Sequence, residues 1–302
     1  MGNQPTTARS QCGTPQSTTV STSRGGIDVF DSLWVRQEIK PGETDALTDW
    51  LATWARSHPD GDLQTLLRVD EVTLCTLFLD RCTEGPDGLL WYLEVADDDA
   101  EPWGDPATAI REASPLFDAG LDDYLTGAAA VHADGIKGHQ LLTHATHPRR
   151  QQRYLDHVDG LLVAPVAGDS LGIELAVARV QLKPGLTSRV VSGGVRVGDW
   201  LKQSSERLSA WLREETQTIE AEAMYTESIL FEPTPAGLVC WYYMETESME
   251  RLYDAYEDST SWEVVFSDWV MRRIFEQPER VVEYPLETEC EPVIHAVHPD
   301  RP

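Results

Sequence analysis

Four of the eight histidines lie in one motif that occurs twice, His144-Ala145-Thr146-His147-Pro148 and His295-Ala296-Val297-His298-Pro299. Histidine changes charge near neutral pH and is a common metal ligand, so a general base and a metal site are the first chemistries to weigh. The spacing argues against a metal, because residues i and i+3 of a strand face opposite ways and His144 and His147 would not converge on one ion. The closing proline marks a strand end. One histidine from each copy, His144 or His295, remains a candidate general base.

Arginine offers the second chemistry. Residues 34–42, Trp-Val-Arg-Gln-Glu-Ile-Lys-Pro-Gly, match residues 177–185, Val-Ala-Arg-Val-Gln-Leu-Lys-Pro-Gly, which sets Arg36 over Arg179. On an extended strand Val35, Gln37 and Ile39 share one face and Trp34, Arg36 and Glu38 the other; Val180 and Leu182 likewise oppose Arg179 and Gln181. If the apolar face meets helices, both arginines point into the space on the other side. There a guanidinium can clamp a ligand carboxylate or phosphate, or form an internal ion pair, for example Arg179 with Glu227 or Glu245. Tyr92, Trp241 and Tyr243 either line an apolar cavity or make ordinary core. The candidate ligand-binding set is Arg179, Glu227, Tyr243, Glu245 and His295, with Arg36. No glycine-rich nucleotide motif, phosphate loop or nucleophile elbow is present, so no cofactor of the common classes is implied.

The elements that must position these residues come in two rounds. Thr76-Leu77-Phe78-Leu79-Asp80 is similar to Ser228-Ile229-Leu230-Phe231-Glu232, and Trp91-Tyr92-Leu93-Glu94 to Tyr242-Tyr243-Met244-Glu245. Together with the arginine segments and the histidine motifs these are four matches in one order. Their offsets grow by 8 after the first match, which places an insertion near Ser192-Gly193-Gly194. Each round reads as a strand (33–39; 174–182), a helical segment after Pro-Gly, a hairpin (72–80 with 89–95; 225–232 with 238–246), a second helical region (107–125; 248–275), and a last strand running into the histidine motif. That is β-α-β-β-α-β twice, an α+β class with two tandem ferredoxin-like units. The divisions are 1–26 as a disordered Ser/Thr/Gln/Gly-rich tail, 27–148, a connection 149–172, and 173–302.

The 51 acidic residues against 24 basic ones give a net charge of -27, which disfavours nucleic acid and anionic membrane as partners. With only four lysines, the acid excess resembles that of proteins from salt-accumulating halophilic archaea, where it suits a surface to molar salt. Five cysteines with no Cys-x-x-Cys pair fit a reduced cytoplasm, and no apolar run reaches the roughly 20 residues of a membrane span.

In element order the chain resembles the dimeric α/β-barrel superfamily, in which two sheets pack face to face about a two-fold axis. The resemblance implies a covalent pseudo-dimer, monomeric as a chain. Residues 175–299, through Arg179 with Lys183-Pro184-Gly185, Tyr225-Thr226-Glu227-Ser228 and Tyr242-Tyr243-Met244-Glu245, also resemble a family of short halophile proteins that carries no assigned activity. The first unit has Cys75 where Glu227 falls, which points to the second unit for any site. Three functions stay open: a small-molecule binder with its ligand between the sheets, a monooxygenase or isomerase without a nucleotide, using His295 or His144 directly or as a haem ligand, and a non-catalytic interaction or structural module.

Overall fold

The computed structural model describes residues 30–59, 61–81, 85–96, 105–133, 140–146, 162–163, 173–184, 224–234, 237–258, 262–286, 288–298 and 301. The expected tail 1–26, the insertion near Ser192, most of the 149–172 connection and His147 lie outside them.

The first half runs β1 (Phe30–Ile39), α1 (Thr44–Arg56), α2 (Leu63–Leu66), β2 (Val72–Asp80), β3 (Gly88–Ala96), α3 (Pro106–Ala113), α4 (Pro115–Asp118), a 3-10 turn (Leu121–Asp123), β4 (Leu125–Ala133) and β5 (Gln140–Thr146). A two-residue strand, β6 (Leu162–Val163), follows. Then come β7 (Glu174–Gln181), β8 (Met224–Thr234), β9 (Gly237–Thr246), α5 (Met249–Asp258), α6 (Trp262–Ile274), α7 (Glu279–Val282) and β10 (Cys290–Val297).

Local chemistry explains the main boundaries. β2 is buried along its whole length, and Val-Thr-Leu-Cys-Thr-Leu-Phe-Leu is the near-continuous apolar run that a strand covered on both faces requires. α1 buries Leu47, Leu51, Trp54 and Ala55 at helical spacing. Asp62 and Thr65 cap α2 reciprocally, and Pro115 starts a new turn where the second helical region was expected to continue.

The Lys-Pro-Gly turn proves to be a structural device. Gly42 sits at φ 82°, a conformation that favours glycine. The Lys40 N–H donates to the Tyr124 carbonyl at 2.8 Å and its ammonium to the Asp122 and Asp123 carbonyls at 3.2 and 2.6 Å. Lys183 repeats this, with its N–H on the Ile274 carbonyl at 2.8 Å and its ammonium on the Arg272 carbonyl at 3.2 Å. Each lysine ties the end of the opening strand to the end of the second helical region.

Two antiparallel sheets result. The first, sheet A, has the order β4-β1-β3-β2-β10-β6, and the second, sheet B, the order β5-β8-β9-β7. Within sheet A, β4-β1-β3-β2 is the ferredoxin-like order. The strand carrying His144 was expected to complete that sheet, and it does not. β4 fills the fourth position, and its Thr-Gly-Ala-Ala-Ala-Val stretch lacks the alternation and the large β-formers that would have marked a strand. β5, which carries His144, pairs instead with β8, and β10, which carries His295, pairs with β2. The two pairings correspond, with His144 opposite Ser228 and His295 opposite Thr76. The chain therefore has five strands where four were expected in the first half, and each half sends its last strand to the other half's sheet.

Three apolar layers follow. Val35, Ile39, Leu77 and Trp91 face α1, α2 and α3 on one side of sheet A. Trp34, Leu74, Phe78, Leu90 and Tyr92 of sheet A meet Val177, Tyr225, Leu230, Trp241 and Tyr243 of sheet B in a middle layer. Ala178, Val180, Phe231 and Cys240 pack with Phe275, Val281 and Val282 on the far side of sheet B. The facing of β1 is as the alternation predicted.

Arg36 shares the face of Trp34 but ends at the hairpin edge. Its Nε donates to Asp80, which is 0% exposed, at 2.6 Å, and Nη2 to the Pro86 carbonyl at 2.6 Å. A Cβ on Gly88 would lie 2.5 Å from the Arg36 guanidinium carbon, so any larger residue there would require that side chain to shift. Replacing Arg36 by alanine strands a buried carboxylate, so urea unfolding should show a loss of about 2–3 kcal/mol. Arg36→Ala combined with Asp80→Ala should cost less than the two single losses added together.

Candidate functional site

The polar centre of the middle layer is built from matched positions on matched strands. Period-two alternation aims Tyr92 and Glu94 of β3, and Tyr243 and Glu245 of β9, at the opposite sheet. The two tyrosine rings stack at 3.7 Å and 16°. The Tyr92 hydroxyl bonds Ser228 across the sheets at 2.8 Å, and Tyr243 bonds Thr76 in the opposite direction. Trp34 closes the cluster, edge-on to Tyr92 at 5.0 Å and to Tyr243 at 6.3 Å. Burial, reinforced by nearby Glu94 and Glu245, pushes both phenols well above their ordinary pKa. These rings are core and not the wall of a cavity.

Arg301 occupies the same layer. Its guanidinium, 1% exposed, contacts Glu94 and Glu245, both 0% exposed. The Tyr243 hydroxyl donates to Glu245 at 3.1 Å and Thr73 to Glu94 at 3.2 Å. Glu245 was one of two carboxylates offered as an ion-pair partner for Arg179, and Arg301 holds it. The sequence reading passed over Arg301, Glu94 and Thr226, although Glu94 and Glu245 occupy matching places in the second pair of segments. Arg150 and Arg301 likewise both stand three residues beyond the second histidine of their motifs.

His295 is also buried here, beside Thr76, with 2.8 Å from its Nδ1 to the threonine hydroxyl. Burial, and then the Arg301 charge, lower its pKa to about 3, against a smaller opposing pull from Glu94. It is a neutral core histidine. A haem ligand needs open space beside the ring, and His295 is 0% exposed within a layer packed by described residues of both sheets, so it does not fit that group. For His144 only the backbone is described, opposite Ser228.

Glu227 is separated from this cluster. On β8 it alternates with Thr226 and Ser228, so it lies on the face of sheet B turned away from sheet A. There it is half-buried beside Ile229 and accepts the Tyr242 hydroxyl at 2.5 Å. Met244, opposite it on β9, packs in an apolar cluster with Ala176 and Met249. Burial raises the Glu227 carboxyl pKa, and the Tyr242 bond only partly offsets this. Arg179 lies on the middle-layer face, its guanidinium 5.2 Å from the centre of the Trp241 ring, while the Trp241 indole donates to Glu232 at 2.7 Å. Of the predicted set, then, Tyr243, Glu245 and His295 come together, Arg36 and Arg179 sit elsewhere along the same layer, and Glu227 stands on the opposite face.

Strand order and layering define an α+β protein of two face-to-face antiparallel sheets, the first ferredoxin-like in its order. No family model matches the chain, and no curated protein matches it in sequence. Among solved structures it is similar to a proposed monooxygenase of Fusobacterium nucleatum, at 7% identity and TM-score 0.40 over 89% of this chain and 92% of that one. A proposed monooxygenase of Lactobacillus acidophilus matches at 8% identity and TM-score 0.40 over 89% and 93%, and an anthrone oxidase-like protein at 10% and 0.31 over 90% and 92%. No helix among the described residues is long and apolar enough to cross a membrane.

The His295 environment has a pH consequence. Its folded pKa, about 3, is below the ordinary 6.5, so between these values the unfolded chain binds a proton that the folded chain refuses. Stability is unaffected above pH 6.5 and falls as pH drops toward 3, by up to about 1.4 kcal/mol per pH unit from this residue. Urea unfolding of His295→Gln at pH 6.5, 5.5 and 4.5 should show an acid limb shallower than that of the parent chain by up to that slope.

Proposed function

We propose that the chain binds a small organic molecule on the outward face of sheet B, where Glu227, held by Tyr242, moves a proton to or from it. The observation that carries this reading is a half-buried carboxyl beside the apolar Met244 cluster, its pKa raised by burial, that accepts a tyrosine hydroxyl. The matching position of the first half is Cys75, buried and with its thiol pushed far up by burial, so proton transfer at this place belongs to the second half. The space between the sheets, the first place considered for a ligand, is taken up by the stacked tyrosines and the Arg301 cluster.

The reaction class this supports is general base catalysis without a nucleotide. The Glu227 carboxylate takes the acidic proton of an enolisable C–H or phenolic O–H, leaving an enolate or phenolate, and returns it at another position in an isomerase-type cycle. A monooxygenase would share that first step. Phenols, hydroxyquinones and enolisable ketones are therefore the panel for a thermal-shift screen, followed by absorbance spectra that report ionisation of any binder. A binder should ionise on the parent chain and bind without ionising on Glu227→Gln. A panel with no stabilising compound, or one ionised equally by both chains, would remove this reading.

We infer further that residues 27–148 and 173–302 are two copies of one unit joined by 149–172, forming a pseudo-dimeric α/β barrel within a single monomeric chain. Support comes from the paired roles of Lys40 and Lys183, from the matching ladders of His144 and His295, and from the reciprocal Tyr92–Ser228 and Tyr243–Thr76 bonds. The acid excess fits a protein of a salt-accumulating cytoplasm, and the buried thiols of Cys75, Cys240 and Cys290 fit reducing surroundings. On this reading the middle layer is the joint between copies, which is where the structural-module alternative retains its force.

A further inference from the structure

Arg301 lies beyond the last strand, three residues after His298, yet its side chain is buried in the middle layer between the two sheets. The tail reaches this point by two backbone bonds: the His298 N–H donates to the Thr73 carbonyl at 2.8 Å and the Arg301 N–H to the His298 carbonyl at 3.0 Å. The receiving groups stand on regular strands of both sheets. Glu94 on β3 accepts Nε at 2.8 Å and Nη2 at 3.3 Å; Glu245 on β9 accepts Nη1 at 3.0 Å and Nη2 at 3.1 Å; Thr226 on β8 accepts Nη2 at 2.9 Å. All three guanidinium nitrogens and all four carboxylate oxygens are used. Thr73 and Tyr243 hold the two carboxylates from their other sides.

This is a receptor for a flat, forked cation, because two carboxylates approach one plane edge-on from opposite sheets. A tetrahedral ammonium has neither the shape nor the five donors to match it. The strands make the receptor, and a terminal segment delivers the group that fills it.

We propose that Glu94, Glu245 and Thr226 form a guanidinium-binding site in their own right, which the chain's C-terminal arginine occupies as an intramolecular ligand and which a free alkylguanidinium can fill when that side chain is removed. The test uses the full-length chain carrying Arg301→Ala, unfolded thermally at constant ionic strength with increasing millimolar methylguanidinium or methylammonium. The variant should unfold at a lower temperature than the parent. Methylguanidinium should restore it saturably, at a concentration at least about tenfold below that at which methylammonium acts. The parent chain, its site filled, should not respond, and adding Glu245→Gln to the variant should weaken the response. Absence of saturation, an equal response in the parent, or equal potency of the two cations would overturn the proposal. If Arg301→Ala does not stay folded, refolding from urea is the readout: recovery only with methylguanidinium supports the site, and no recovery with it overturns the site.

Discussion

The contact between one guanidinium and two glutamates is the constraint from which the rest of the molecule can be understood. Strand alternation puts Glu94 in the same row as Tyr92, and Glu245 in the same row as Tyr243. Once the tyrosines stack at 3.7 Å, the two carboxylates are necessarily close together and out of water. Two buried like charges destabilise such an interface strongly, and a single cation between them reverses the sign of the interaction. Arg301 must therefore be held where it is, and the exchange of last strands does this: β10 leaves its own half, pairs with β2, and carries the tail past Thr73 to the centre. The neutrality of His295 follows first from its burial in the same layer and then from the Arg301 charge beside it.

The architecture was largely legible because its signals are periodic. The two hairpins, the opening strands and the face on which Arg36 lies follow from alternation and from turns rich in Gly and Pro, and the structure places them within two residues of expectation except at the start of β1, which begins three residues earlier, at Phe30. β4 was not legible, because Thr126-Gly127-Ala128-Ala129 has no apolar-polar alternation and is dominated by glycine and alanine, and it is a strand only through its ladder with β1. The exchange of β5 and β10 was hidden for a different reason. Sequence says that a strand exists, but partner choice is decided by tertiary packing, and both sheets offer a similar edge.

The candidate site was legible in part. Reading Glu227 and Glu245 together treated residues on neighbouring strands as neighbours on one face, whereas β8 presents Ser228 and Thr226 to the middle layer and turns Glu227 outward. The same parity argument that sorted Arg36 correctly would have separated them, had the Tyr92–Ser228 contact been anticipated. Arg301 was missed because a residue so close to a chain end is ordinarily read as part of a frayed terminus. Its signal was the correspondence with Arg150 and the recurrence of a glutamate at the end of each third strand.

The outward faces of the two sheets then differ for a reason visible at one position. Cys75 and Glu227 occupy matching places, opposite Ala296 and Ala145 respectively, each beside a small residue on an exchanged strand. In sheet A the thiol completes a sealed apolar layer beneath the helices, and a buried thiol is chemically inert. In sheet B a carboxyl at that place cannot be absorbed as core, so Tyr242 turns its hydroxyl to it and both side chains stay half-buried. An acid in such surroundings, held by a single hydroxyl among the described residues, costs stability and contributes nothing to joining the sheets, which meet on the opposite face. Among the described residues the middle layer is filled by the tyrosine stack and the Arg301 cluster, and the difference between the outer faces of the two sheets is concentrated where Glu227 meets Tyr242.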